Sequence, residues 1–544
     1  MNQKIITIYF CLLFIIISLI NSKIFNIFWV DFWFYVKWNF EFTKAIFFNI
    51  FSSIFIIIYF LLNFKKKIII PKIFYYIFLV IIISLFTTSF FYTNIFWNEV
   101  KWHWLIFFIN LIWLFLILLN QDNKTKKNIL KYIIYLSILP VILAIKEYYN
   151  PSFVYEDLKN RAFGTFWHPN LLASFILLLT PIVLYKIKNN FIFLIFVIFT
   201  FTIFLTKSII PIAIYISYIL WYFYKNYNIN KKNILYIWII FLLWLSYIIY
   251  NFWIITKLNS FVSRFFIWET TLKIIFSDIK YILFWIWNDS LQYIFDGFKS
   301  PYLYIFENIW YTADRPHNYF LQIFINNWIW WLLITFFIIF NYIKNYENNA
   351  YFHSILLYII FLIFNFPSII HYIILIIIIA IIYIKNNKQK LDYYGFKIIF
   401  ILISIFSIIS SFLYYREENR TFINKKYNSN VITYIKLKNE NIENYIIKHQ
   451  KNYKNICYLL TKKIDSVENN IFCWNILWNI DKNLAIYYYK KWLSKLPDMR
   501  NNYSTYKSNI FVKKLYNKNR FFSDKYSNIK IILERLEKHS FLDL

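Results

Sequence analysis

The chain is built from long apolar blocks separated by short polar stretches. The blocks are roughly 20 residues long, which is the length that an α-helix needs to cross a hydrocarbon core. Continuous runs such as IFLVIIISLF and IILIIIIAIIYI do not show the in–out alternation of a membrane β-barrel strand. The pattern therefore predicts an all-α, polytopic transmembrane helix bundle of about 12 to 13 spans. The predicted spans are 5–20, 45–62, 73–92, 103–120, 129–146, 170–186, 190–206, 208–225, 233–253, 318–342, 352–366, 368–384 and 397–415.

The first apolar block, 5–20, also fits the hydrophobic core of a signal peptide. However, it lacks a small-residue cleavage site, and further spans follow it. We therefore expect this block to be a retained helix.

Lysines give the predicted bundle an orientation, because basic residues concentrate in the short cytoplasmic loops of membrane proteins. Here they fall in every second loop, which predicts a multi-pass protein of the cell (inner or plasma) membrane with a cytoplasmic N-terminus. Orientation and anionic lipid account for the net charge of +31 without a nucleic-acid partner. The basic loops contain Lys65, Lys66, Lys67, Lys72, Lys124, Lys126, Lys127, Lys186, Lys188, Lys225, Lys231, Lys232, Lys385, Lys388 and Lys390.

The remaining loops are then extracytoplasmic. They are 147–169, the turn at Lys207, and the long loop 254–317, which is of a length that is often functional. The predicted domains are a transmembrane domain, 1–415, which includes this large loop, and a small soluble extracytoplasmic tail, 416–544.

The tail is polar and has helical periodicity in places. Its segment LAIYYYKKWLSKLPD (484–498) resembles the second helix of a tetratricopeptide-type unit, which ends in proline. Any amphipathic helix before a proline has a similar pattern. The tail is therefore predicted to be helical and tetratricopeptide-like, and its Cys457 and Cys473 fit no zinc spacing.

Arginine is scarce in the predicted membrane domain, where only Arg161, Arg264 and Arg315 occur, all in predicted outer loops with His168 and His317. The guanidinium group offers a fixed fork of donors and stays charged when it is partly desolvated, so it suits phosphate or diphosphate near a membrane surface. Each arginine alone could equally anchor a loop or pair with a carboxylate. The two histidines could equally be structural residues at helix starts. Three arginines beside two histidines on one face favour a binding site.

Two segments have sequence patterns that extend beyond these charges. They are RAFGTFWHPNLLA (161–173) and RPHNYFLQ (315–322). Both resemble segments of the O-antigen ligase and polymerase superfamily of membrane glycosyltransferases, namely R-x-x-G-T-F-x-x-P-N-x-L-A and His-Asn-x-x-Leu-Gln. Between them, RFFIW (264–268) is similar to the R-x-x-x-W stretch in the large extracytoplasmic loop of that family. The resemblance covers roughly residues 90 to 385.

The resemblance implies a reaction and a set of residues for it. A glycan on a polyprenyl diphosphate carrier is transferred to the hydroxyl of a glycan, lipid or protein acceptor, with no metal and no cofactor. His317 would act as general base or orienting group for that hydroxyl. Arg161 and Arg264 would hold the diphosphate and stabilise its developing charge. Further substrate-binding candidates are Arg315, Asn318, Lys207, His168 and Asn170.

The chain departs from the family pattern after the predicted span 190–206. The family usually has a Thr-x-Ser-Arg-Gly turn there, whereas this chain has Thr206, Lys207 and Ser208. Lys207 is the candidate substitute for the missing arginine, although an ammonium group binds phosphate less directionally. The proline that the family has before the glycine pair of its large loop is also absent.

Glycine is almost absent, with 3 residues against 22 tryptophans, where roughly 7% glycine is usual. Tryptophan stands at several positions where the family has glycine, and it permits neither close helix approach nor a positive φ. We hypothesise that the organism reads UGA as glycine and that the gene was translated with UGA as tryptophan. A tryptophan-rich interfacial belt is the alternative. UGG codons at 285, 287 and 328 would end the hypothesis. The affected positions are Trp167, Trp285, Trp287, Trp328, Trp330 and Trp331.

Several functions fit this scaffold. Within the superfamily the chain could be a ligase, a glycan polymerase or a protein O-oligosaccharyltransferase, and the sequence does not choose among them. From other classes, it could be a transporter or flippase of lipid-linked glycans, or a membrane anchor for the tail. A transporter should have polar groups at mid-membrane depth and broken helices in repeats, whereas the distinctive polar residues here gather at one predicted face.

Overall fold

The computed structural model is predominantly α-helical, which confirms the all-α prediction. A short antiparallel pairing of two strands, β1 (Ile68–Pro71) and β2 (Lys388–Leu391), adds to it. The structure describes residues 3–19, 40–64, 68–71, 105–150, 161–166, 168–226, 254–277, 291, 295, 298–300, 303, 313, 315–325, 333, 335–336, 340, 349–382, 388–391, 398, 401–409, 411, 457–458, 470, 473, 477 and 481–493.

The chain falls into two compact units. Unit 1 comprises Met1–Asn226 and Trp330–Lys425, and unit 2 comprises Tyr227–Ile329 and Lys426–Leu544. The predicted division into 1–415 and 416–544 separates membrane from tail, and it stays a prediction.

The described helices of unit 1 follow the predicted spans, with one span broken at Ser137. The predicted spans 73–92 and 233–253 lie outside the described residues. The helices are α1 (Gln3–Leu19), α2 (Phe40–Leu62), α3 (Leu105–Leu119), α4 (Asn123–Leu136), α5 (Ile138–Tyr149), α6 (Pro169–Tyr185), α7 (Asn190–Leu205), α8 (Ile209–Asn226), α10 (Ala350–Leu362) and α11 (Ile369–Ile382). The helix α9 (Ile254–Phe276) belongs to unit 2.

Helix α6 occupies the interior of unit 1. Almost every side chain from Pro169 to Leu184 is buried, and the helix packs against α7, α8 and α10. A helix that is apolar all round is stable only when it is surrounded by protein or lipid. The segment that precedes α6 is therefore anchored to the most buried helix of the unit.

Helix directions give unit 1 two distinct ends. Because β1 follows α2 and β2 follows α11, their pairing brings the C-terminal ends of these helices together. At this end the ammonium of Lys126 donates to the Ala380 carbonyl of α11 (2.8 Å), and the Tyr222 hydroxyl donates to the Leu184 carbonyl of α6 (3.0 Å). We call it the lysine end, because it contains Lys126, Lys186, Lys188, Lys225, Lys388 and Lys390.

The opposite end holds the segment 161–168, the turn between α7 and α8, and the loop between α10 and α11. There Asn170 at the start of α6 donates to Asn365 (3.2 Å), and the Thr165 hydroxyl donates to the carbonyl of Ser18 at the end of α1 (2.5 Å). We call it the arginine end, after Arg161. Within unit 1, each described loop that the lysine pattern assigns to the cytoplasm lies at the lysine end, and each described loop that it assigns to the outer face lies at the arginine end.

Several helices expose apolar side chains on one face while they bury apolar side chains on the other. In α1, Ile8 is 57% exposed and Leu12 is 51% exposed, whereas Phe10 and Phe14 are fully buried. By length and composition, two helical stretches within the described residues could cross a membrane. They are Lys44–Leu62 in α2 and Asn123–Tyr149, which is α4 and α5 taken together. Shorter apolar helices accompany them, and the number of spans stays a prediction.

In unit 2, the predicted long loop 254–317 begins with a helix, α9 (Ile254–Phe276). Its buried Ile267 and Ile274 are seven positions apart, on one helical face. The exposed face carries an ion pair between Lys273 and Glu269 (2.5 Å). The helix packs into an apolar cluster that includes Ile267, Ile274, Ile275, Leu291, Phe295, Leu303, Ala313 and Ile325.

The described part of the tail contains the predicted helix, α12 (Lys482–Leu493), whose N-terminus is capped by Asp481 through the Leu484 amide (3.1 Å). The buried Ala485 and Tyr488 of α12 pack on Cys457, Cys473 and Leu477. Cys457 and Cys473 form a disulfide, with Cα atoms 5.4 Å apart, which the spacing of the cysteines did not predict. The helix is confirmed, and its tetratricopeptide-like nature stays a prediction.

Candidate functional site

Arg161 attaches the segment before α6 to the turn between α7 and α8. Its Nε donates to the Thr206 carbonyl (2.9 Å), and its Nη2 donates to the Ser208 hydroxyl (3.2 Å). The neighbouring Ala162 amide donates to the Leu205 carbonyl (3.0 Å). These bonds bring together two motif segments that lie 45 residues apart in the chain. The guanidinium is therefore held in a fixed orientation at the arginine end.

Lys207 lies in that same turn, so two cations share one site. Partial burial lowers the pKa of Lys207, and the charge of Arg161 lowers it further. Its ammonium also lies 5.9 Å from the centre of the Tyr148 ring, within the range of a cation–π contact. An anion bound between the two cations would relieve their repulsion and raise the pKa of Lys207 again. The arrangement suits a ligand with more than one negative charge.

Gly164 forms the tight bend of the 161–166 segment. Its φ of +52° is in the left-handed region, and a Cβ built on it would lie 2.8 Å from the Cβ of Ala144 on α5. Both the backbone conformation and the available space therefore require glycine at this position.

We expect Gly164→Ala to destabilise the protein by about 2–4 kcal/mol, because left-handed strain and overpacking add. The measurement is the temperature at which the detergent-solubilised protein unfolds. It is detected as the loss of the monodisperse peak in size-exclusion chromatography after heating. Adding Ala144→Gly should restore part of the loss, since the nearest clashing atom is then removed. An unfolding temperature equal to that of the wild type would contradict the tight contact.

His168 and Asn170 both lie at the arginine end and have structural partners there. His168 is the N-cap of α6, and its Nδ1 accepts the Asn170 amide N–H (3.1 Å). The Asn170 side chain donates to Asn365 (3.2 Å). Their predicted contacts with substrate stay predictions, and the capping bond is a structural role for His168.

In unit 2, Trp268 connects α9 to the segment that carries His317. The indole Nε1 of Trp268 donates to the Pro316 carbonyl (2.7 Å). Arg264 lies one helical turn before Trp268, so both residues are on one face of α9. The contact therefore places Arg264 on the face of α9 that meets the 315–318 segment, and its predicted role stays a prediction.

His317 and its neighbours are held by their own local bonds. Arg315 is 6% exposed, and Asn318 caps the helical residues 319–325, because its Oδ1 accepts the amides of Phe320 and Leu321 (both 3.0 Å). His317 itself has a φ of +52°. His317 thus lies in a bend between a buried arginine and a capped helix.

Left-handed backbone marks each of these three segments. Among the described residues, positive φ occurs at Gly164, Lys207 and His317, at +52° each. Non-glycine residues adopt this region at a cost, and such strain tends to concentrate at functional sites. Both strained non-glycine residues are candidates that the sequence had already indicated.

Lys44, at the arginine end, was not predicted from the sequence. Its side chain is fully buried in α2, and its Nζ donates to the Thr165 carbonyl (2.5 Å). The sequence does contain a signal for it. Lys44 lies at the predicted outer end of the span 45–62, where lysine is uncommon in membrane proteins.

A second missed feature is a buried polar clamp between α6 and α11. The fully buried His371 has its Nδ1 accepting the Ser368 amide N–H (3.1 Å) and its Nε2 2.7 Å from the Ser174 hydroxyl. Because Nδ1 is an acceptor, the ring is neutral and Nε2 carries the hydrogen. The hydroxyl of Ser174 donates to the Leu171 carbonyl (2.9 Å), so this pair fixes the helices rather than activating a nucleophile.

Within the described part of the chain, His, Cys, Asp and Glu side chains form no group of three or more that could hold a metal ion. No protein-family model, curated protein or solved structure matches the chain.

Proposed function

We propose that the protein is a membrane glycosyltransferase of the O-antigen ligase type, which transfers a glycan from a polyprenyl diphosphate to an acceptor hydroxyl at the outer face. The observation that carries the proposal is the docking of Arg161 on the turn that contains Lys207. Two neighbouring cations suit the charge of a diphosphate, and two separate motif segments supply them at one end of unit 1.

The exposed apolar faces of unit 1 support a membrane location. Phe201 of α7 is 47% exposed and Ile58 of α2 is 45% exposed, although each helix also packs on its neighbours. Large apolar patches on a protein surface are typical of membrane or partner contacts. We propose that lipid covers these faces and that the protein crosses the membrane many times.

The two ends of unit 1 support the proposed orientation. Lysines gather at one end, as they do in cytoplasmic loops, and the motif residues Arg161 and Lys207 lie at the other. The disulfide between Cys457 and Cys473 supports an extracytoplasmic tail, because disulfides persist in oxidising compartments.

The proposed reaction is a displacement at the anomeric carbon of the glycan. The acceptor oxygen forms a bond to this carbon as the bond to the diphosphate oxygen breaks, and the acceptor proton passes to the imidazole of His317. The leaving polyprenyl diphosphate takes the electron pair of the broken bond. In unit 1, Arg161 and Lys207 would stabilise its charge, as preorganised cations do in anion sites. The roles of Arg264 and His317, in unit 2, come from the family resemblance. The polymerase and the protein O-oligosaccharyltransferase differ from the ligase only in the acceptor.

The experiment is glycan transfer by the purified protein in liposomes, with an oligosaccharide on polyprenyl diphosphate or on polyprenyl monophosphate and with lipid, glycan and protein acceptors. We expect transfer from the diphosphate only. Arg161→Ala should reduce the rate by about 100-fold or more, because a fixed donor to the leaving group is lost. Arg161→Lys should retain part of the activity, since it keeps the charge and loses the fork.

The matched control is Lys188→Ala, which removes an exposed cation at the lysine end and should leave transfer unchanged. Absence of transfer to every acceptor by the well-folded wild type, or an Arg161→Ala variant with wild-type rate, would reject the proposal. Movement of the intact lipid-linked glycan between leaflets without transfer would favour the flippase instead.

A further inference from the structure

Lys44 is a buried cation beneath the motif segment 161–166. It lies near the start of α2 and is 0% exposed. Its ammonium donates to the Thr165 carbonyl (2.5 Å) and lies 5.6 Å from the centre of the Phe166 ring. These contacts therefore attach α2, which is remote in sequence, to the Thr165 carbonyl of the segment 161–166.

The same segment is held from its other sides as well. The Thr165 hydroxyl donates to the Ser18 carbonyl of α1 (2.5 Å), Gly164 packs on Ala144 of α5, and Arg161 is bonded to Thr206. Of these contacts, only the one from Lys44 brings a charge to Thr165 and Phe166. Displacement of the Thr165 carbonyl would be transmitted along four residues to Arg161.

Burying a charged group has a desolvation cost, which is unfavourable for a contact whose role is only structural. Replacing buried charged groups with apolar side chains of similar volume is often neutral or stabilising, because the desolvation of the charge is avoided. A methionine would fill the same space without this penalty. The ammonium also contributes a positive potential at the arginine end, and such a potential is little screened in a buried environment.

We propose that Lys44 is a positioning residue for diphosphate binding, which fixes the 161–166 segment through Thr165 and adds positive potential behind Arg161 and Lys207. This inference rests on the proposed function and deepens it. Since Lys44 is fully buried, it acts through the segment and not by touching the substrate.

Lys126 provides a matched control at the other end of unit 1. It is also buried, 4% exposed, and its ammonium also donates to a backbone carbonyl, that of Ala380 (2.8 Å). Lys126→Met therefore removes the same kind of contact and the same charge away from the arginine end.

The experiment compares wild type, Lys44→Met, Lys44→Gln, Lys44→Arg and Lys126→Met in two measurements, the Kd for polyprenyl diphosphate and the KM and kcat of transfer. Lys44→Met should raise the Kd and the donor KM by about 10- to 100-fold, as misplacement of a binding group does. Lys44→Gln, which keeps a donor for Thr165 without the charge, should lie between Lys44→Met and wild type. Lys44→Arg should recover most of the affinity, and Lys126→Met should bind as the wild type does.

Wild-type affinity in Lys44→Gln and Lys44→Met would overturn the inference while the proposed function stands. Equal losses in Lys44→Met and Lys126→Met would show a general structural effect and would overturn it too. If Lys44→Met does not fold, Lys44→Gln and Lys44→Arg give the same comparison. A wild-type protein that binds no polyprenyl diphosphate would reject the proposed function and this inference together.

Discussion

Replacing His317 with alanine is expected to lower the rate of glycan transfer by about 100- to 10,000-fold, the usual contribution of a general base. The structure holds His317 in a left-handed bend directly after Pro316, whose carbonyl is bonded to Trp268. A base must be held in place to accept the proton of the acceptor hydroxyl, and this bend fixes the backbone that carries the imidazole. The measurement is the initial rate in liposomes at saturating donor and acceptor.

His317→Asn separates the chemical role from a structural one. Asparagine tolerates left-handed backbone at least as well as histidine does, and it keeps hydrogen-bonding groups. It cannot take up a proton at neutral pH. We therefore expect His317→Asn to be as inactive as His317→Ala while it unfolds at the wild-type temperature. An active His317→Asn variant would show that only the bend at this position matters.

Secondary structure was largely predictable because the apolar blocks have the length of membrane-spanning helices and lack the alternation of strands. Helix α6 (Pro169–Tyr185) coincides with the predicted span 170–186, and α7 (Asn190–Leu205) coincides with 190–206. The break at Ser137 was missed, because residues on both of its sides are apolar. The helix α9 was missed because its apolar positions are interrupted by Lys257, Arg264 and Lys273, which lower the local hydropathy.

The candidate site was predictable as a set of residues but not as a set of contacts. Scarcity and position indicated Arg161, position and the family resemblance indicated His317, and the resemblance alone indicated Lys207. That Arg161 bonds to Thr206, 45 residues away, depends on how α6 and α7 pack. Lys44 was missed for the same reason, since its partner Thr165 lies 121 residues away.

The tryptophan hypothesis stays a prediction, since Trp167, Trp285, Trp287, Trp328, Trp330 and Trp331 all lie outside the described residues. Gly164 shows what a required glycine looks like in this chain, with a positive φ and no room for a Cβ. The codons at those tryptophan positions decide the matter, with UGA expected.

We expect the motif residues and the lysine clusters to lie on opposite sides of the membrane. The lipid-borne diphosphate is presented at the outer face, whereas lysine-rich loops are cytoplasmic. The direct measurement uses single cysteines in a Cys11→Ser background and a membrane-impermeant maleimide, applied to right-side-out and inverted vesicles. The test positions are Lys207→Cys and Asn318→Cys for the motif segments, and Asn123→Cys and Lys188→Cys for the lysine end. We expect the first pair to react only in right-side-out vesicles and the second pair only in inverted ones. Labelling of positions 207 and 318 from opposite sides, or of 207 and 188 from the same side, would contradict the account.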